Sequence, residues 1–92
     1  MRQPTTQQRW HRRGVPVALR DVLALSRRGT RLELLCWELN VDESGVRPAW
    51  ELARANGLVE PDGVDALTGK MMFSLSARGR LALGQLSRRR HG

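Results

Sequence analysis

Between Thr30 and Leu83 the chain spells out an order of elements that few folds accept: helix, tight turn, helix, short hairpin, helix. The first of these helices carries Leu32, Leu35, Cys36 and Leu39 at helical spacing, an inward stripe. Thr30-Arg31-Leu32-Glu33 reads as a capping box at its start. Leu34 and Trp37 widen the apolar arc, so they are expected in the core under the first or last helix, or at a contact between two copies. Leu39-Asn40-Val41-Asp42 is the turn, and Asp42 or Ser44 can cap the second helix of the pair. That helix is predicted over Val46–Asn56, with Pro48 in its first turn and Val46, Trp50 and Ala53 facing the core. Gly57 stops it, and Leu58-Val59-Glu60 is a short strand. Pro61 to Gly69 holds two turn signals, Asp62-Gly63 and Thr68-Gly69. Met71, Phe73 and Leu75 then alternate with Met72 and Ser74, as in a half-buried strand. Ser76 is expected to cap a last helix running through Leu86. Upstream, a helix from Pro16 to Gly29 places Val15, Leu19, Val22 and Ser26 on one face.

The expected organisation is a flexible basic arm over residues 1–14, one α+β, mainly α domain over 15–86, and a basic tail over 87–92. The single cysteine, Cys36, lies in an apolar run and is read as a small buried hydrophobe. His11 and His91 stand far apart without companion ligands, so no metal or cofactor site is expected. No apolar run nears the roughly 20 residues of a membrane span, and no apolar leader opens the chain, so the expectation is a cytoplasmic protein. No Ser/His/Asp set or glycine-rich phosphate loop can be assembled in the core, which argues against an enzyme.

The net charge of +7 is unevenly placed. Met1 to Arg31 holds eight arginines against Asp21 alone. Arg88, Arg89 and Arg90 add a second basic end. Between them, Thr30 to Glu60 sets Arg31, Arg47 and Arg54 against Glu33, Glu38, Asp42, Glu43, Glu51 and Glu60. Of sixteen basic residues only Lys70 is lysine, and arginine's planar fork suits phosphates and guanine edges.

The segment Thr30–Leu83 resembles the winged helix-turn-helix of bacterial transcription regulators of the MarR and PadR type. Leu39-Asn40-Val41-Asp42 stands where those proteins have a Leu-Gly-Val-Ser turn, with Asn40 in place of glycine. Val46, Trp50, Ala53 and Gly57-Leu58-Val59 come after it at matching spacing, and Leu75-Ser76-Ala77-Arg78-Gly79 matches a Leu-Thr-x-x-Gly signature. The resemblance implies a three-helix core with a β-hairpin wing and a C-terminal helix. It implies that helix 46–56 enters the major groove of double-stranded DNA, with Ser44, Arg47, Glu51 and Arg54 facing out. Arg47 and Arg54 would bond guanine edges or phosphates, and Glu51 would accept from cytosine. Lys70 near the wing tip, and Arg9, Arg12 and Arg13 on the arm, would contact the backbone. A two-fold reader would make the protein a homodimer. The alternative reading is a winged-helix module that docks or dimerises proteins without touching DNA, which the acidic lean of Thr30–Glu60 favours.

Overall fold

The computed structural model describes residues 15–89. Its elements run α1 (Leu19–Leu25), a 3-10 turn (Ser26–Arg28), α2 (Leu32–Leu39), α3 (Glu43–Ala55), β1 (Val59–Val64), β2 (Met71–Leu75) and α4 (Ala77–Arg89). Among the described residues the fold is α+β and mainly helical, with four α-helices and one two-stranded antiparallel sheet.

α1 begins later than its sequence predicts. Ala18, the residue before it, is extended at ψ 140°, and Val17 N–H donates to the Gly45 carbonyl at 3.2 Å. That bond holds the Pro16 segment against the start of α3 and keeps it out of the helix. Thr30 is not the expected cap of α2. It exchanges two backbone hydrogen bonds with Phe73, at 2.7 and 2.8 Å, and is buried as a one-residue third strand. Arg31 takes the cap position without a side-chain cap, and Glu33 turns to Arg31 and Lys70 instead.

The α2–α3 turn rests on Asn40, which adopts φ 56°, ψ 41°, the left-handed region that asparagine tolerates better than most residues. This explains how it fills the place of a glycine. Asp42 caps α3: its Oδ1 accepts from Gly45 N–H at 3.2 Å and from the Ser44 hydroxyl at 2.8 Å. The cap starts α3 at Glu43, three residues before the expected Val46, so Pro48 sits in the second turn rather than the first. The helix tolerates the lost amide at Pro48, whose ring is exposed.

The hairpin pairs Val59 with Leu75, Glu60 with Ser74 and Pro61 with Phe73, and its register then shifts before Val64 meets Met71. Phe73 spends its N–H and carbonyl on Thr30, so Pro61 opposite it forfeits no ladder bond. Asp62-Gly63 is therefore an irregularity inside β1, not the expected turn. The turn lies at Asp65–Lys70, where Asp65 N–H donates to the Lys70 carbonyl at 2.8 Å and Gly69 N–H to the Asp65 carbonyl at 2.7 Å. Ser76 caps α4 as expected: Gly79 N–H donates to its Oγ at 3.0 Å, while that hydroxyl donates to the Gly57 carbonyl. α4 continues to Arg89, so Ser87–Arg89 is helix rather than tail. Residues 1–14, with Arg9, Arg12 and Arg13, and residues 90–92 lie outside the described residues.

One core unites these elements: Val22 and Leu23 from α1, Leu35 and Cys36 from α2, Val46, Trp50 and Ala53 from α3, Phe73 and Leu75 from β2, and Leu83 from α4. Each fully buried aliphatic side chain stabilises the fold by about 1.5–3 kcal/mol. Trp37, expected in the core, is 48% exposed. It stands one residue past Cys36, a rotation of about 100° off the buried stripe. Burial raises the Cys36 thiol pKa, and the carboxylates of Glu43, Asp42 and Glu33 raise it further, so the thiol stays protonated at neutral pH. No helix among the described residues is long and apolar enough to cross a membrane.

Candidate functional site

α3 is amphipathic, and its two faces fix the site. Val46, Ala49, Trp50 and Ala53 turn inward. Arg47, Glu51 and Arg54, at i, i+4 and i+7, form one exposed row. Trp50 anchors the helix to the sheet by an edge-to-face contact with Phe73, with centroids 5.3 Å apart and planes at 87°. Beside it the Arg54 guanidinium lies 4.8 Å from the Phe73 ring centroid, a cation–π contact that orients its head. The hairpin turn brings Lys70 to the same side.

Arg47, Glu51, Arg54 and Lys70 thus line one shallow groove of about 290 Å³ between α3 and the hairpin. These are four of the eight residues singled out from sequence. Ser44 is not in its lining; its hydroxyl is engaged on Asp42 at the start of α3. Sequence reasoning missed Arg31, which also lines the groove with its side chain only 12% exposed. No local pattern could reveal it. Arg31 bonds Asp65 at 3.5 Å across 34 positions, and Lys70 bonds Glu33 at 3.4 Å across 37.

Most of the groove's cations are met by carboxylates. Arg47 bonds Glu43 at 2.9 Å and Glu51 at 3.4 Å, both one helical turn away. Arg31 bonds Glu33 at 2.7 Å as well as Asp65. The Glu33 carboxyl is held below its ordinary pKa by its own backbone amide and by Arg31 and Lys70. Asp65 is lowered by the Leu67 amide and then by Arg31, while Glu43 and Glu51 raise the Arg47 pKa. The groove is close to neutral in consequence. Of the arginines without a carboxylate partner among the described residues, Arg54 lies in the groove, and the others stand elsewhere: Arg27 and Arg28 on the 3-10 turn, Arg78, Arg80 and Arg88 on α4. Arg27 and Arg80 line a separate cleft of about 520 Å³ with Leu75 and Leu83. Among the described residues no group of three or more His, Cys, Asp or Glu could hold a metal ion.

The arrangement offers planar guanidinium forks and one carboxylate on a rigid helix face, with an ammonium on an adjacent hairpin. Such groups form hydrogen bonds and ion pairs with polar partners spread over a surface. No protein-family model, curated protein or solved structure matches the chain.

Proposed function

We propose that this is a DNA-binding protein of winged helix-turn-helix type, a small bacterial or phage transcription regulator. α3 lies in the major groove, and the hairpin serves as the wing. The observation that carries this reading is the convergence of Arg47, Glu51 and Arg54 on one exposed helix face with Lys70 beside them. Arg47 and Arg54 contact guanine edges, and Glu51 accepts from cytosine N4. Lys70 takes a backbone phosphate. The arm, with Arg2, Arg9, Arg12 and Arg13 and no acid, supplies most of the electrostatic attraction that the neutral groove lacks.

The test separates arm from helix. Duplex binding is measured on selected and random sequences at several salt concentrations. Deleting residues 1–14 is expected to weaken binding to every duplex and to lower the log–log salt slope by about one unit per lost phosphate contact. Arg54→Ala is expected to lose roughly 1–3 kcal/mol on the preferred site and little on random DNA. Equal weakening on all sequences by Arg54→Ala would overturn the reading of α3.

A second copy is proposed to dock through α2, where Trp37 is 48% exposed and Leu34 is half-buried. Light scattering is expected to return a dimer; a mass of one 10.4 kDa chain at high concentration refutes it. The second functional reading, a protein-docking module, is favoured by the charge balance of the groove. It takes over if no duplex binds at low salt.

A further inference from the structure

We infer that Glu33 and Glu43 are built-in counter-ions that hold Lys70 and Arg47 out of non-specific phosphate contact, so that only a duplex offering better partners recruits these cations. This rests on the DNA-binding reading and names how its groove is regulated.

The geometry supplies the argument. The Glu43 carboxylate lies 2.9 Å from the Arg47 guanidinium. Glu33 bridges two cations, Arg31 at 2.7 Å and Lys70 at 3.4 Å. Both carboxylates are half exposed, at 50% and 52% of the side chain. Exposed pairs of this kind add little to folding, so stability does not explain why two of them sit on the groove's cations. Their consequence is instead for an incoming polyanion. A phosphate that binds Lys70 or Arg47 must first displace a carboxylate already there, and it releases fewer condensed counter-ions in exchange. A random duplex leaves both cations on their internal partners. A preferred duplex replaces the carboxylates with base and phosphate contacts held in register. The Glu33 carboxyl stays ionised below the ordinary range, because its own backbone amide and both cations stabilise the charge.

The experiment uses the full chain and two double variants of equal charge. Glu33→Gln/Glu43→Gln removes the two counter-ions and leaves Arg47 only its longer, 3.4 Å pair with Glu51, a residue the DNA reading assigns to base contact. Glu38→Gln/Glu60→Gln removes two carboxylates that pair with neither Lys70 nor Arg47, and so controls for net charge alone. Binding to a random duplex and to the best selected duplex is followed against salt, with a thermal melt of each protein. The groove variant is expected to bind random DNA about 10-fold tighter at low salt, with a slope steeper by roughly one to two units. Its slope on the selected duplex is expected to change less, because Arg47 and Lys70 are already engaged there. Should the double groove variant melt early, Glu43→Gln alone, in the first turn of α3, is expected to give the same effect at roughly half the size. Equal gains from both double variants would overturn the inference and leave the DNA reading standing. Failure of every form to bind any duplex at low salt would overturn both.

Discussion

Gly79→Ala is expected to abolish the cooperative melt of this protein or lower its midpoint by more than about 10 °C. Gly79 is buried in the first turn of α4, against Leu58 in the link between α3 and β1 and against Leu75 of β2. A Cβ there would overlap the Leu58 carbonyl oxygen and stand 2.9 Å from the Leu58 carbonyl carbon and 2.8 Å from Leu75 Cδ1. Two of these atoms are backbone and cannot rotate away. The same carbonyl accepts from Ser76 N–H at 3.0 Å, so lifting α4 to make room breaks that bond and strains the Ser76 cap. Helix propensity alone argues the other way, since alanine in a helix is better than glycine by about 1 kcal/mol. The overlap outweighs it: forcing atoms into a packed site costs about 1–3 kcal/mol and sometimes more, and an overlap with fixed backbone lies at or beyond the upper end, leaving a net loss of about 2 kcal/mol or more. In a domain of this size each kcal/mol moves the midpoint by about 4–8 °C. Gly84, five residues along the same helix, is the internal control. A Cβ there meets only an Arg88 nitrogen at 4.0 Å, so Gly84→Ala should hold or raise the midpoint by a few degrees. If both variants melt like the parent, the close approach of α4 to Leu58 is wrong. Gly45 obeys the same rule, for its Cβ would overlap the Val15 carbonyl and Val41 Cγ1.

What the sequence revealed about the fold was encoded within about four residues. The turn at Leu39–Asp42, the cap at Asp42, one of two candidates with Ser44, the cap at Ser76, and the alternation of Phe73 and Leu75 are local devices, and each stands where expected. What it concealed depends on distant partners. Thr30 with Glu33 three residues on looks like a capping box, but the ladder to Phe73 claims the Thr30 backbone. Pro16 looks like a helix start, but the Gly45 carbonyl claims the Val17 N–H and the helix begins only at Leu19. Asp62-Gly63 looks like a turn, but β1 runs through it because the tighter Asp65–Lys70 loop closes the hairpin. The site divides in the same way. The row Arg47, Glu51, Arg54 is a product of helical spacing alone. The ion pairs that neutralise the groove in part join α2 to the hairpin over more than thirty positions, and no periodicity records them.

Trp50→Ala is the substitution expected to damage fold and site together. Trp50 is 4% exposed and is the largest side chain that α3 contributes to the core. Truncating a buried tryptophan costs about 3–5 kcal/mol, a large share of the roughly 5–15 kcal/mol that holds small domains together. Guanidinium titration should therefore show the midpoint fall by about half or more, with Trp50→Phe recovering much of the loss. The contact with Phe73 is separable. A double-mutant cycle of Trp50→Ala with Phe73→Leu should return a coupling of about 0.5–1.5 kcal/mol, the usual worth of an edge-to-face pair beyond its buried area. A coupling near zero would mean that the 5.3 Å contact is proximity without interaction. The same ring matters for the groove, because Phe73 carries the Arg54 guanidinium on its face. Phe73→Leu keeps most of the apolar volume but removes the π surface, so it frees the Arg54 head while α3 stays seated on the core. On the DNA-binding reading, Phe73→Leu should then blur sequence preference at the Arg54 position and leave random-duplex affinity unchanged. Trp50→Ala, by loosening the helix itself, should weaken both.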